Sequence, residues 1–274
     1  MANNLHQLKS RLVSIKSTQK ITKAMQLIAV SKLQKYKNLF QKNQYFSAAL
    51  YDMLVNILSC DKNIETIFNI ENNSNKKLLI VFSCDMGLAG GFYPNLDKMY
   101  RHYHYDYVLW IGSKGFSNNY NSSFINENII YSDNLDTDVF YEYIDRCINM
   151  FLNSQVSRVD MLVTKYINPT SFNLEICQLL PFKNEIKNNL YKEVIIDPNI
   201  DTVIVPLIEK VITNFTYSGY LETKVCEYSS RQFAMDNATN NAQELIDDCQ
   251  LIVNKVRQAQ ITQEITEIIG GSLL

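Results

Sequence analysis

Residues 235–259 read MDNATNNAQELIDDCQLIVNKVRQA, and apolar or small side chains recur in this stretch at alternating steps of three and four. The positions with this spacing are Met235, Ala238, Ala242, Leu245, Cys249, Ile252, Val256 and Ala259. A heptad pattern of this length is typical of a coiled coil rather than of a lone amphipathic helix. The C-terminal segment, residues 207–274, is therefore predicted to be a long helix that packs on a partner helix.

The N-terminal segment, residues 1–58, is predicted to be a second long helix. Its apolar stripe is formed by Leu5, Leu8, Leu12, Ile15, Ile21, Met25, Ile28, Leu33, Tyr36, Phe40, Leu50, Met53, Leu54, Ile57 and Leu58. At about 1.5 Å per residue such a helix extends about 80 Å, whereas a compact domain of this chain length has a radius of gyration of about 19 Å. We therefore expect the two terminal helices to pair as an antiparallel coiled coil, with two independent helical arms as the alternative.

The middle of the chain, residues 76–206, has a different period. Leu78-Leu79-Ile80-Val81-Phe82 is a short apolar run typical of a buried strand, and it is followed by a glycine-rich loop. The other predicted elements are strands at 108–111, 160–166 and 174–180 and helices at 92–102 and 138–152. Because strands alternate with helices, we predict a Rossmann-like α/β domain of mostly parallel strands. The asparagine-rich segment 61–75 is predicted to be a linker.

Glycine and proline are concentrated in the middle of the chain. The sequence contains 8 Gly and 5 Pro; the first of them is Gly87, and no Pro follows Pro206. Both residue types interrupt helices. Their distribution therefore favours an α/β fold with three segments: a coiled-coil helix at 1–58, a central α/β domain at 76–206 and a coiled-coil helix at 207–274.

The composition excludes several classes of protein. With 46% hydrophobic and 20% charged residues, the chain has the composition of a folded globular protein. It contains no run of about 18 uncharged apolar residues that would span a membrane, and its N-terminus lacks the apolar core of a signal peptide. The widely spaced cysteines favour reduced, mostly buried thiols in a cytosolic compartment; they are Cys60, Cys84, Cys147, Cys177, Cys226 and Cys249.

The loop Gly87-Leu88-Ala89-Gly90-Gly91 lies where a nucleotide-binding loop would follow the first strand. It matches neither the phosphate-loop template nor the dinucleotide-binding spacing of glycines. Gly87, Gly90 and Gly91 are therefore predicted to form a tight strand-to-helix turn through positive φ angles or close packing.

No arrangement of residues in the sequence indicates an active site. The carboxylates of Asp85, Asp97, Asp106 and Asp133 are expected to be solvated, as loop carboxylates commonly are. The 3 His residues are too few and too separated from a nucleophile to suggest a catalytic triad. We predict no catalytic residue, no cofactor and no metal site.

The N-terminal helix carries most of the positive charge. Residues 1–58 contain nine basic residues and one acidic residue, although the whole chain has a formal net charge of −2. The basic stripe comprises Lys9, Lys16, Lys20, Lys23, Lys32, Lys35 and Lys42. It is either a solvated helix face or a docking face for an acidic protein. An anionic membrane is a further reading, whereas the pI of about 6.0 and the scarcity of interleaved aromatic residues argue against nucleic acid.

Four separated blocks of this sequence resemble the γ subunit of F-type ATP synthases. The first is the N-terminal IKSTQKITKAM at 15–25 with Ser31-Lys32-Leu33, and the second is DMGLAGG at 85–91. The third is SRQFAM at 230–235 with ATNNA at 238–242, and the fourth is NKVRQA at 254–259 with ITQEITEII at 261–269 and Gly271. The blocks occur from end to end of the chain, in the order and spacing of the family.

The resemblance implies a rotor shaft that has no catalytic activity of its own. In this family the antiparallel terminal helices stand inside a hexamer of α and β subunits, and the α/β domain lies near the ε subunit and the c ring of the membrane sector. Hydrogen ion transport turns the ring and the shaft, and the shaft drives the catalytic sites of α and β through their conformations. One copy of γ per complex is implied, as a peripheral protein on the cytoplasmic face of a bacterial inner membrane.

The resemblance also implies which residues contact partners. Arg257, Gln258, Thr262 and Glu264 match family positions that meet the β subunits, and the apolar tip that matches the family's collar contact consists of Ile268, Ile269, Leu273 and Leu274. Lys20, Lys23 and Met25 match positions near an acidic lever of β.

The sequence departs from the family pattern at several positions. Tyr93 and Pro94 stand where Asn and a small polar residue are usual, Asp236 replaces a typical Lys, Asn240 a typical Asp and Ser272 the usual Ala. Residues 195–198 lack the Glu commonly found in the segment associated with the c ring. The regulatory insertion with a close cysteine pair is absent, so no thiol switch is expected. Two functions of other classes are the alternatives: a small nucleotide-binding enzyme and a coiled-coil tether with a basic helical arm.

Overall fold

Two long helices and a five-stranded sheet make up most of the chain. The computed structural model describes residues 2–58, 74–116, 122–133, 135–168, 171–181 and 200–272. Helix α1 spans Ala2–Leu58 and confirms the predicted N-terminal helix. Most of the predicted linker at 61–75, the segment 195–198 and the last two leucines lie outside the described residues.

The C-terminal helix, α4, spans Ile200–Ser272 and is longer than the predicted segment. Pro206 lies inside it, so the boundary placed at residue 206 does not coincide with the start of the helix. A proline inside a helix costs about 3 kcal/mol. Ile204, Leu207 and Ile208 around it are buried, and their packing offsets that cost.

The described strands form one sheet in the order β3-β2-β1-β4-β5. They are β1 at Lys77–Phe82, β2 at Tyr107–Ile111, β3 at Ser123–Phe124, β4 at Arg158–Asn168 and β5 at Ser171–Leu180. Strands β1 to β4 pair in parallel, and β5 pairs antiparallel with β4. The predicted α/β fold with a mostly parallel sheet is confirmed. The two-residue strand β3 was not predicted, because it is too short to show a period.

Side chains cover both faces of the sheet, as expected of parallel strands. On one face, Leu79 and Val81 of β1 pack in a buried cluster with Phe92 and Leu96 of helix α2, which spans Phe92–Arg101. On the other face, the Phe82 ring lies 5.7 Å from the ring of Tyr220 in α4. The sheet is therefore held between α2 and α4.

Helix α3 spans Thr137–Leu152 and packs on the same face as α4. Its N-cap, Asp136, accepts a hydrogen bond from the backbone N–H of Asp138. The Phe140 ring in its first turn lies 6.2 Å from the Tyr220 ring. Gly219 allows α4 to approach β4 closely, since a Cβ at this position would lie 2.8 Å from Met161.

The cysteines are largely buried, as predicted. Cys84, Cys147, Cys226 and Cys249 are buried and Cys177 is half-buried, with no disulfide among these described residues. Burial raises the pKa of the Cys147 thiol to about 12.

The chain divides into two compact units. The coiled-coil unit comprises Met1–Ser31 and Arg231–Leu274. The α/β unit comprises Lys32–Ser230 and thus contains the sheet together with the remaining parts of α1 and α4.

Candidate functional site

Within the coiled-coil unit, three polar pairs hold the two helices together. Gln19 Nε2 donates to Gln243 Oε1 at 2.7 Å, and Gln26 Nε2 donates to Asp236 Oδ1 at 2.6 Å. Between them, the hydroxyl oxygens of Thr22 and Thr239 lie 2.9 Å apart, within hydrogen-bond distance.

Residue numbers rise along one helix as they fall along the other, so the predicted antiparallel pairing is confirmed for this unit. The pairing also accounts for an acidic residue at position 236, because its carboxylate accepts from the amide of Gln26.

The seam of α1 differs from the predicted stripe. Ile21, Ile28 and Met53 are 58%, 56% and 51% exposed, so their prediction as stripe residues is wrong. The alternating steps of three and four that begin at Leu5 and run to Ile15 continue instead through Gln19, Thr22 and Gln26. These three residues are half-buried. A hydrophobicity pattern misses these positions because polar residues occupy them.

The seam of α4 also differs, by one residue at alternate layers. Leu245 and Ile252 are each 47% exposed and Ala259 is also exposed, so the assignment of these three residues to the seam is wrong. Ile246 is buried in place of Leu245, and Val253 is half-buried in place of Ile252. At both layers two apolar residues are adjacent, and spacing alone cannot decide which one faces the partner helix.

The outer surface of the coiled-coil unit is unusually apolar. The exposed large apolar side chains are Val13, Ile21, Leu27, Ile28, Val30, Phe233, Leu245, Leu251, Ile252, Ile261, Ile265, Ile268 and Ile269. Exposed apolar surface on this scale marks a site of interaction with another protein or a membrane.

The residues predicted to contact partners lie on this surface. Lys20, Lys23, Arg257, Gln258, Thr262 and Glu264 are exposed and Met25 is half-buried. The hydroxyl of Thr262 donates to the backbone carbonyl oxygen of Gln258 at 3.0 Å. Ile268 of the predicted apolar tip is 72% exposed. Leu273 and Leu274 lie outside the described residues.

Lys20 and Lys23 line a shallow cavity of about 500 Å³. Its other lining residues are Gln19, Ala24, Leu27 and Thr239, so its wall combines two ammonium groups with apolar side chains. Such a site suits a partner segment that carries both carboxylates and apolar groups.

In the α/β unit, the glycine-rich loop is a structural turn. Of the three predicted turn glycines only Gly90 has a positive φ, at 54°; Gly87 and Gly91 do not. Leu88, which was not predicted, has a φ of 63°. The carbonyl oxygen of Ala89 accepts a hydrogen bond of 2.7 Å from the Ser230 hydroxyl, which ties the loop to α4.

The loop carboxylates were predicted to be solvated, and this is wrong. The Asp85 carboxylate accepts three hydrogen bonds from backbone N–H groups: from Ser113 at 3.0 Å, Ser132 at 3.1 Å and Asp133 at 2.7 Å. It therefore fixes the loops that follow β2 and β3. Of the other predicted carboxylates, Asp97 pairs with a neighbouring arginine and Asp106 accepts from a backbone N–H of β1.

An Asp85→Asn variant should lower the free energy of unfolding by about 2 kcal/mol, because an amide replaces one of two charged acceptor oxygens. Urea unfolding of the full chain measures this loss. Asp145→Asn, at an exposed carboxylate of α3, is the matched control and should change stability by less than about 0.5 kcal/mol. Equal stabilities of the two variants would contradict the role given to Asp85.

A buried lysine in α4 lies at the centre of an ionic cluster that the sequence analysis missed. Lys224 is 1% exposed, and its Nζ lies 2.6 Å from Asp133 Oδ1, 2.7 Å from Glu227 Oε2 and 3.0 Å from Ser132 Oγ. Lys32 of α1 reaches the other oxygen of Asp133 at 2.8 Å. These residues, Lys32, Ser132, Asp133, Lys224 and Glu227, are named here the Lys224 cluster.

Electrostatics favours the ionised forms in this cluster. Burial alone would raise the pKa of Asp133, but the charge of Lys224 and the hydrogen bonds from Lys224 and Lys32 hold it well below its ordinary value. Burial alone would lower the pKa of Lys224, but Glu227 and Asp133 raise it above its ordinary value. The buried pair of Lys224 and Asp133 is therefore charged at neutral pH.

The stability contributed by Asp133 should depend on pH. Its pKa is lower in the folded chain than the value of about 3.9 in an unfolded chain, so its contribution is present above about pH 4 and is lost as the pH falls. Asp133→Asn should cost about 3 kcal/mol at neutral pH. The difference in unfolding free energy between wild type and variant should shrink in urea titrations below about pH 4. A difference that stays constant into strong acid would contradict this assignment.

Lys32 and Lys35 of the basic stripe, and Lys37 beside them, have contacts within the α/β unit. Lys32 is bound to Asp133, the Lys35 ammonium lies 5.8 Å from the centre of the Tyr36 ring, and the Lys37 ammonium lies 5.6 Å from the centre of the Tyr166 ring. The basic residues of α1 in the coiled-coil unit, Lys9, Arg11, Lys16, Lys20 and Lys23, are all exposed.

Two features are absent from the described residues. No helix among them is long and apolar enough to cross a membrane. No group of three or more His, Cys, Asp or Glu residues among them is arranged to hold a metal ion.

Known proteins resemble this chain both in sequence and in fold. The family model described as ATP synthase matches residues 4–273. The chain is 35% identical to the ATP synthase gamma chain of Clostridium kluyveri, over 97% of this chain and 96% of that one. It is 33% identical to the ATP synthase gamma chain of Mycoplasma mobile, over 98% of each chain.

The fold is similar to that of a chain in the cryo-EM structure of Euglena gracilis mitochondrial ATP synthase, OSCP/F1/c-ring. The TM-score is 0.66 at 14% identity, and the match covers 98% of this chain and 94% of the other. A second match, with a TM-score of 0.57 at 19% identity, is to the central stalk and c-ring structure from Tetrahymena thermophila and covers 80% of this chain and 99% of that one. The family model and the full-length similarity to the bacterial relatives show that the chain belongs to the ATP synthase gamma chain family.

Proposed function

We propose that this chain is the central rotor shaft of a proton-translocating F-type ATP synthase and catalyses no reaction itself. The observation that carries the proposal is an antiparallel coiled coil with an apolar outer surface, in a chain that belongs to the gamma chain family. The exposed isoleucines and leucines do not contribute to packing between the two helices. They are suited to contact a surrounding protein.

The proposed partners are the α and β subunits around the coiled-coil unit, and the ε subunit and the c ring near the α/β unit. The matched Euglena gracilis structure is that of an OSCP/F1/c-ring assembly, which supports a place in an ATP synthase complex that contains F1 and a c ring. The proposed location is the cytoplasmic face of a bacterial inner membrane, as a peripheral protein with one copy per complex.

Two groups of residues are proposed to contact the catalytic hexamer. Lys20 and Lys23 line a cavity with apolar walls and are placed to receive an acidic segment of β, next to Met25. Further along α4, the exposed residues proposed to meet β are Arg257, Gln258, Thr262 and Glu264. Ile268 and Ile269 are proposed to turn inside an apolar collar.

In this proposal, rotation is coupled to catalysis because the contacts between the shaft and each catalytic subunit differ with the angle of the shaft. A shaft whose faces differ in charge and apolarity stabilises a different conformation of each catalytic subunit at each angle. The exposed charged and apolar groups of the coiled-coil unit supply that asymmetry, and rotation moves every site through the same series of conformations.

The test is reconstitution of the full complex with the cognate subunits. ATP hydrolysis by α and β should depend on this chain, and it should be linked to proton pumping in membrane vesicles. Lys20→Glu/Lys23→Glu should reduce both rates, whereas Lys98→Glu, at an exposed position of α2, should leave them unchanged. Equal ATP hydrolysis with and without the chain, together with failure to co-purify with α and β, would refute the proposal.

A further inference from the structure

We propose that the Lys224 cluster is the joint through which torque passes between the α/β domain and the long helices. This inference rests on the proposed rotor function and names the residues that transmit the load within the α/β unit. Ser132 and Asp133, on the loop that follows β3, lie at the centre of this joint. Residues of α1 and α4 contact them from two sides.

The contacts to Ser132 and Asp133 involve their backbone atoms as well as their side chains. Tyr36 of α1 donates from its hydroxyl to the carbonyl oxygen of Asp133 at 3.0 Å, and Tyr220 of α4 donates to the carbonyl oxygen of Ser132 at 2.7 Å. Burial, together with neighbouring Tyr36, raises the pKa of Tyr220 far above its ordinary value, so this donor keeps its proton. From the sheet side, Asp85 accepts from the backbone N–H groups of Ser132 and Asp133.

Aromatic rings of α1 and α4 also stack on each other next to the Lys224 cluster. The rings of Tyr36 and Tyr228 stack with their centres 5.5 Å apart at an interplanar angle of 12°. The Lys224 ammonium lies 5.4 Å from the centre of the Tyr228 ring, and the Lys32 ammonium lies at the same distance from that ring. One lysine from each helix therefore binds the same carboxylate and the same ring.

Stability alone does not account for this arrangement. A buried ion pair is on average no more stabilising than apolar residues of the same volume, because its desolvation is costly. The hydrophobic effect is non-directional, whereas charge-assisted hydrogen bonds fix the direction of approach of both partners. Lys224 thus adds a directional constraint between the loop and α4 that a leucine at the same position would not add.

The charges in the cluster also balance. Lys32 and Lys224 face Asp133 and Glu227, so removing Lys224 and Glu227 together leaves Lys32 paired with Asp133. Removing both residues therefore takes away one positive and one negative charge and leaves the net charge of the cluster unchanged.

The test uses the reconstituted complex in vesicles, with the ratio of ATP-driven proton pumping to ATP hydrolysis as the readout. In Lys224→Met/Glu227→Met this ratio should fall about threefold, while the complex still assembles and hydrolyses ATP. The matched control is Arg158→Met/Asp160→Met, which removes an ion pair with an N–O distance of 2.7 Å whose two residues both lie on β4. The control should keep the wild-type ratio, because a merely structural ion pair does not change coupling in an assembled complex.

A wild-type ratio in Lys224→Met/Glu227→Met would overturn the inference. If that variant fails to assemble, Tyr36→Phe/Tyr220→Phe takes its place, because it removes two hydroxyl donors and leaves the ring packing intact. A lowered ratio in this second variant supports the joint, and an unchanged ratio overturns it. Failure of the wild-type chain to link hydrolysis to pumping would instead refute the rotor function itself.

Discussion

An Ala242→Pro variant should abolish ATP-driven proton pumping in the assembled complex, or prevent assembly. Ala242 is 6% exposed on the seam of the coiled-coil unit, where the helices approach closely. Proline at this position removes the N–H that bonds to the preceding turn, and its ring displaces that turn, at a cost of about 3 kcal/mol or more. A shaft bent at this layer no longer presents the same faces to its partners.

Ala242→Gly is the matched control, since it keeps the backbone N–H and costs only about 1 kcal/mol. It should assemble and pump at a rate close to that of the wild type. Circular dichroism of the full chain and pumping by the complex give the two measurements. Wild-type coupling by Ala242→Pro would contradict a shaft that has to be continuous and straight.

A Lys224→Met variant should lose about 3–5 kcal/mol of unfolding free energy. The substitution keeps the length of the side chain and removes its charge, which leaves the carboxylate of Glu227 in a site where only 1% of its side chain is exposed. A buried carboxylate that loses a charge-assisted hydrogen bond from a cation is less well compensated for its desolvation, which reduces stability at neutral pH. Urea unfolding of the full chain should register the loss directly.

Removing the second charge should restore most of that stability. In Lys224→Met/Glu227→Met neither buried charge remains, and two apolar side chains fill the space. The two single variants and the double variant form a cycle in which the coupling energy should be large. A double variant that is no more stable than Lys224→Met would show that the two charges do not depend on each other.

The architecture could be predicted because it follows from local periodicity. Steps of three and four from Leu5 to Ile15 are sufficient to indicate a long helix, and the apolar run at β1 is sufficient to indicate a buried strand. The α/β pattern then follows from the alternation of elements. None of these inferences requires knowledge of which residues meet in space.

The seam could be predicted only where an apolar residue occupies every seam position. Gln19, Thr22 and Gln26 occupy seam positions but are polar, so hydrophobicity assigned the stripe to their apolar neighbours. At Leu245 and Ile246 two apolar residues compete for one position, and the partner helix decides between them.

The Lys224 cluster could not be predicted because its members are distant in sequence. Lys224 and Asp133 are 91 residues apart, and nothing around either one marks the other. The i,i+3 spacing of Lys224 and Glu227 was visible, but on most helices such a pair lies in solvent. The uninterrupted burial of Val225, Cys226 and Tyr228 around the pair is the feature that makes it different here.

The polar pairs of the coiled-coil unit have a consequence for building chimaeric chains. Gln26 and Asp236 form one unit of recognition across the helix interface, as do Gln19 and Gln243. A C-terminal helix grafted from a relative that carries lysine at position 236 would present an ammonium to Gln26, whose donor amide would have to turn over to accept from it. Exchange of either helix between species therefore preserves this pairing only when the facing residues of the other helix are exchanged with it.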